Sequence, residues 1–149
     1  MESYTDDRIL GQPIGYWASM TGRSAVTFIR ATLERHGLTQ PQWWALNYIA
    51  DRPAGVGMDE VVEYHRGFVD TDDALRPDVA CLVATGLLDD ADGALTVSPA
   101  GQRRRDETWP DIRATLAQIR AGVSDEDFIT TIRTLQRMIE NIGDRAWHA

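Results

Sequence analysis

Along several stretches of the chain apolar residues recur at intervals of three and four, the spacing that lines one face of an α-helix. Over residues 13–36 the stripe is Ile14, Trp17, Thr21, Ala25, Phe28, Ile29 and Leu33, and Gly37 stops it. A second helix opens on Thr39 as N-cap, with Gln42 three residues on to complete a capping box and Leu38 set to staple against Trp43; Pro53 ends it. After a loop marked by Gly55 and Gly57, Met58–Tyr64 reads as a short helix that turns Val61 and Val62 inward. Residues 73–85 read as another, with Val79, Leu82 and Val83 as the apolar face and Gly86 as the cap. Residues 87–88 and 95–97 then flank Asp92-Gly93, a dipeptide favoured in type I′ hairpin turns, which predicts a two-stranded wing.

Ser98 as N-cap and Pro99 in the first turn open a long helix over 99–121, striped by Trp109, Ile112, Leu116 and Ile119. Ser124, followed by Asp125, Glu126 and Asp127 against the positive end of the helix dipole, opens a last helix striped by Phe128, Ile132, Leu135, Ile139 and Ile142 until Gly143. Residues 1–12 carry no apolar period and read as a frayed arm or a short dimer-tail segment. The 149 residues suffice for one domain. Its core is too small to cover the stripes on the terminal helices as well, so a second copy of the chain is expected to cover them.

A composition of 43% hydrophobic and 26% charged residues suits a soluble globular protein. No run approaches the roughly 20 apolar residues that span a bilayer. The acidic start lacks the basic and apolar regions of a signal peptide, so a cytoplasmic protein without membrane contact is expected. Cys81, the one cysteine, is expected to be a buried, inert thiol. His36, His65 and His148 share no metal-ligand spacing, and no catalytic or phosphate-binding motif is present. No cofactor, metal or catalytic residue is therefore expected, and an enzyme is the less favoured class.

In order and separation these elements resemble the MarR family of winged-helix transcription regulators. The resemblance rests on residues 38–46 (LTQPQWWAL) at the second helix, 82–88 (LVATGLL) leading into the wing and 95–101 (LTVSPAG) leading out. It implies a mainly α fold with a small β-hairpin wing: a winged helix-turn-helix lobe over 38–98 between long dimerisation helices over 13–36 and 99–147, in a single protomer spanning 1–149. It also implies a homodimer that binds DNA and carries a small-molecule pocket between lobe and dimer region. Tyr16, Trp17, Trp43, Trp44, Tyr48 and Trp109 cluster where that pocket would lie, and a planar or aromatic ligand suits such walls; core or interface packing is the competing reading for each. Arg23 and Arg30 could pair with an acidic ligand or form exposed ion pairs.

Charge departs from the resemblance. The chain's net −8 lies entirely within residues 57–98, where ten acids face Arg66 and Arg76; the remainder holds as many arginines as acids. DNA affinity comes largely from cations displacing counterions, and the wing offers Asp89, Asp90 and Asp92 with no arginine. Pro77 biases Arg76 toward an extended conformation, which predicts a recognition helix that starts about a turn late. Arg66, Thr71 and Arg76 remain as DNA contacts, weak ones, with pairing to neighbouring acids the alternative. Arg103, Arg104 and Arg105 read as a solvated face, with phosphate contact as the alternative. Two functions follow: a ligand-responsive MarR-like transcription regulator, or a protein of that fold that has lost DNA binding and acts as a small-molecule-binding protein or enzyme.

Overall fold

The computed structural model describes residues 4–66 and 75–144. Among these, seven helices surround a small antiparallel sheet: α1 (Asp6–Leu10), α2 (Ile14–Arg35), α3 (Gln40–Ala50), β1 (Val56–Gly57), α4 (Met58–Tyr64), α5 (Leu75–Ala84), β2 (Leu88–Ala91), β3 (Ala94–Val97), α6 (Pro99–Ile119) and α7 (Asp125–Asn141). None of these helices is long and apolar enough to cross a membrane.

The local signals act as chemistry dictates. Thr39 accepts the Gln42 amide at 3.2 Å while the Gln42 side chain accepts the Thr39 amide at 3.0 Å, satisfying two orphan donors at the start of α3. Ser98 and Ser124 cap α6 and α7 through hydroxyl oxygens that accept the amides of Gly101 and Asp127, without the returning bond. Asp92 and Gly93 both hold positive φ, 54° and 87°, and close the β2–β3 hairpin in the register Leu88 with Val97 and Ala91 with Ala94.

Two elements go beyond the sequence expectation. Val56–Gly57 forms a third strand that pairs antiparallel with β3, giving the order β1-β3-β2; two residues are too few to carry an alternation. The leading segment contains α1, a single exposed turn. Pro110 lies within α6, where it deprives the Asp106 carbonyl of its helical donor.

The core joins the faces of α3, α4, α5 and the wing. Leu46, Ile49, Val61, Leu75, Val79, Leu82, Leu88 and Leu95 are all essentially inaccessible, each contributing about 1.5–3 kcal/mol of burial. Leu33 at the inner end of α2 joins them, and buried Thr32 and Thr115 share a 2.8 Å hydrogen bond that ties α2 to α6. α7 has no buried residue.

Candidate functional site

A cavity of about 800 Å³ opens between α3, the end of α4 and α6, within the range of small-molecule sites. α3 supplies Trp43, Trp44, Asn47 and Tyr48, with Asp51 and Arg52 just past its end; α4 contributes Tyr64 and His65 follows it; α6 adds Arg105 and Trp109. Helical spacing puts residues four apart on one face, so Trp44 and Tyr48, with Arg52 past the helix end, form one row of the wall, and Trp43, Asn47 and Asp51 a second.

The walls are fixed by ring packing. Trp43 meets Trp109 edge to face at 5.1 Å between centroids, and His65 stacks near-parallel to Trp44 at 6.4 Å. Tyr48 is held between two neighbours: the Tyr64 ring at 4.2 Å and the Arg52 guanidinium, 3.4 Å from the Tyr48 ring centroid. His65 is buried, and its Nδ1 sits 2.7 Å from the Val61 carbonyl. A carbonyl only accepts, so Nδ1 carries a proton.

Polar groups interrupt the aromatic lining at two places. Arg105 donates through Nε to Asn47 Oδ1 at 2.8 Å and reaches Asp51 at 3.9 Å. Arg52 donates to the Tyr48 carbonyl at 2.9 Å. The Tyr48 hydroxyl donates to Glu60 Oε1 at 3.1 Å. Burial, and after it this bond to a carboxylate, raises the Tyr48 phenol above its ordinary 10.0, so the hydroxyl is a donor at neutral pH.

Of the aromatic residues singled out from sequence, Trp43, Trp44, Tyr48 and Trp109 line this one cavity, whereas Tyr16 and Trp17 do not. Those two pack against each other at 5.4 Å on the outer half of α2, and Trp17 borders a separate groove with Phe28 and Ile119. The reason is length: at about 1.5 Å per residue, Trp17 stands roughly 24 Å along the helix from Leu33 in the core. Sequence reasoning missed Tyr64, His65, Arg52 and Arg105. Arg104 and Arg105 are half-buried rather than solvated: Arg104 donates to the His36 carbonyl at the end of α2, and Arg105 turns into the cavity. Arg23 lies against Met20 and Arg30 donates to buried Gln40, so neither reaches the cavity.

On the lobe's outer surface Arg66 pairs with Glu63, and Arg76 reaches Asp59 at 2.6 Å, an ion pair linking α5 to α4. Arg76, expected to be extended, is helical. Pro77 occupies the third described residue of α5, and the expected late start of that helix falls on residues outside those described. Thr71, with Asp70, Asp72 and Asp73, lies outside the described residues. Cys81 is exposed, not buried: the inward stripe of α5 is Leu75, Val79 and Leu82, and Cys81 sits about 100° around the helix from Leu82. Asp78 accepts the Thr39 hydroxyl at 2.6 Å, and Asp90 accepts the Gly93 amide at 2.8 Å, so both acids shape the lobe. Asp89 and Asp92 are exposed on the wing.

No protein-family profile and no curated protein matches the chain. Solved structures do. CouR from Rhodococcus jostii RHA1, bound to p-coumaroyl-CoA, is 21% identical over 87% of this chain and 93% of its own, with a TM-score of 0.71. A MarR family transcriptional regulator from Silicibacter pomeroyi gives 18% identity over 93% and 99%, TM-score 0.67. The MarR family protein Rv2887 of Mycobacterium tuberculosis, in complex with DNA, gives 22% over 89% and 99%, TM-score 0.64. The same protein has also been solved with salicylic acid. At these identities the likeness establishes the fold, a winged helix with long terminal helices.

Proposed function

From a chain that carries the winged-helix fold of MarR family regulators, we propose a homodimeric transcription regulator whose DNA affinity responds to a planar aromatic acid. The observation that carries this reading is the aromatic cavity of about 800 Å³ built on α3 and α4, two helices of the lobe itself, with Arg52 and Arg105 at its wall. A ligand there touches the elements that would have to move. Structural relatives bound to DNA, to salicylic acid and to p-coumaroyl-CoA support the same reading.

The lobe's acids are compatible with weak DNA binding. Exposed ion pairs such as Arg76 with Asp59 and Arg66 with Glu63 are worth about 0–1 kcal/mol, so a phosphate can take over either arginine at small cost. A second reading, a small-molecule-binding protein of this fold without DNA binding, is favoured by the exposed Asp89 and Asp92 on a wing that has no arginine.

Binding of the full-length protein to its own upstream DNA, at low and physiological salt beside sheared DNA, separates the two. The regulator reading expects sequence-specific retention that salicylate weakens. Absence of binding at both salts leaves the second reading standing.

A further inference from the structure

Glu60 does not line the cavity, yet its carboxylate is held by two residues that do. One oxygen, Oε1, accepts the Tyr48 hydroxyl at 3.1 Å and lies 3.6 Å from Arg52 Nε. The two donors are fixed relative to each other, because Arg52 is stacked on the Tyr48 ring and bonded to the Tyr48 carbonyl. A phenol and a guanidinium converging on one point form a frame for a carboxylate, and in this state the protein's own α4 fills it.

Resting on the reading of the cavity as a ligand site, we propose that Glu60 is an internal competitor for the ligand's carboxylate. An aromatic acid entering the cavity takes Tyr48 and Arg52 from Glu60, and the exchange removes the polar tie between α4 and α3 while the apolar packing of Val61 and Val62 remains. Glu60 is largely exposed, at 59% for its side chain, so once displaced it is solvated rather than stranded. The next residue back, Asp59, holds Arg76 of α5. Adjacent acids on α4 thus tie it to α3 on one side and α5 on the other, and the ligand cuts the first tie. No bond is made or broken covalently; one carboxylate replaces another.

The test uses full-length protein, with the fluorescence of Trp43, Trp44 and Trp109 reporting titration by salicylate and by its uncharged analogue salicylamide. Glu60→Ala and Glu60→Gln are expected to tighten salicylate binding by about three- to tenfold and to leave salicylamide unchanged, while Tyr48→Phe weakens salicylate by a similar factor. Amide hydrogen exchange supplies the second readout. Salicylate accelerates exchange across Met58–Tyr64 in the wild type, and in Glu60→Ala exchange there is fast already and insensitive to salicylate. Saturable binding with the same Kd in all Glu60 variants, or α4 exchange indifferent to salicylate in the wild type, overturns the competition alone and leaves the cavity a ligand site. No saturable response in any variant overturns the ligand reading and the competition together.

Discussion

The winged lobe and the terminal helices treat their apolar residues in opposite ways. In the lobe, Leu46, Val61, Val79, Leu82, Leu88 and Leu95 are closed off within one chain. On the arms, Ile14, Trp17, Phe28, Leu116, Phe128, Ile129, Ile132 and Met138 are all exposed. So many large apolar residues exposed along one set of helices are the mark of an interaction surface. Charge follows the same division, since the lobe holds the excess acid and the arms balance. The lobe is a finished core with an acidic skin; the arms carry apolar stripes that one chain leaves exposed, and the proposed dimer would cover them.

The largest effect is expected where those stripes are broken. Ile132 sits mid-stripe on α7 with 42% of its surface exposed. In a dimer Ile132→Arg removes roughly 1 kcal/mol of burial from each of two copies, since only the exposed 42% of the residue remains to be covered, and it puts a charge into each apolar face at a cost of several kcal/mol more. The dimer Kd should rise by at least about 100-fold, with a monomer in size-exclusion chromatography with light scattering that keeps the helical circular dichroism of the lobe. A variant that remains dimeric would remove α7 from the interface.

Next in size is the joint where lobe passes into arm. Gly101, in the first turn of α6, is buried, and a Cβ there would stand 2.0 Å from the Leu87 carbonyl oxygen and 3.0 Å from Val97. Replacing glycine by alanine inside a helix ordinarily gains about 1 kcal/mol. Here backbone must shift, so Gly101→Ala should cost about 2–3 kcal/mol, read as a lower urea midpoint at unchanged slope.

The comparison also marks what the sequence could carry. Signals contained within a few residues came through: the Thr39–Gln42 capping box, the Asp92-Gly93 turn and the Ser98 and Ser124 caps all form the bonds or dihedrals expected of them. Features that need a distant partner did not. β1 exists only because Val56 and Gly57 meet Leu95 and Ala94 across the chain. Arg105 reads as part of a basic run until α6 packs beside α3 and points it at Asn47. Aromatic content suggested the pocket walls, but only tertiary packing separates Trp17 from Trp44 and adds Tyr64 and His65. Cys81, between apolar Ala80 and Leu82, looks buried in the sequence, while burial on α5 follows a helical period and leaves it exposed.

A smaller effect sharpens the charge side of the contrast. If the lobe binds DNA, the acidic skin keeps the number of phosphates engaged low, and log K against log salt should fall with a slope shallower than about −5, short of six contacts. Asp89→Asn with Asp92→Asn, both exposed on the wing, should tighten binding at low salt by about three- to tenfold and leave the dimer constant untouched. Equal charge removal on α7, at Asp125 and Glu126, should leave DNA affinity as it was. Fluorescence anisotropy with the upstream DNA measures the affinities, and light scattering the dimer constant.

The smallest effect separates lobe from arms by pH. Tyr48 has its phenol raised above 10.0, first by burial and then by its hydrogen bond to Glu60. A raised pKa means that the folded state holds the proton more tightly than the unfolded chain does, so unfolding releases it once the solution passes the unfolded value. The stabilisation is therefore complete below about pH 10 and declines as pH climbs through the folded value. Tyr48→Phe cannot ionise and loses the bond to Glu60, so it should begin less stable at neutral pH and show a shallower alkaline decline. Urea unfolding of both proteins at neutral pH and at successive alkaline values measures the difference, and parallel curves would mean that Tyr48 ionises as freely in the fold as out of it. Because the group belongs to the lobe, the same pH series on the Ile132→Arg monomer should retain the Tyr48-dependent part of the decline, tying it to the core that one chain completes alone.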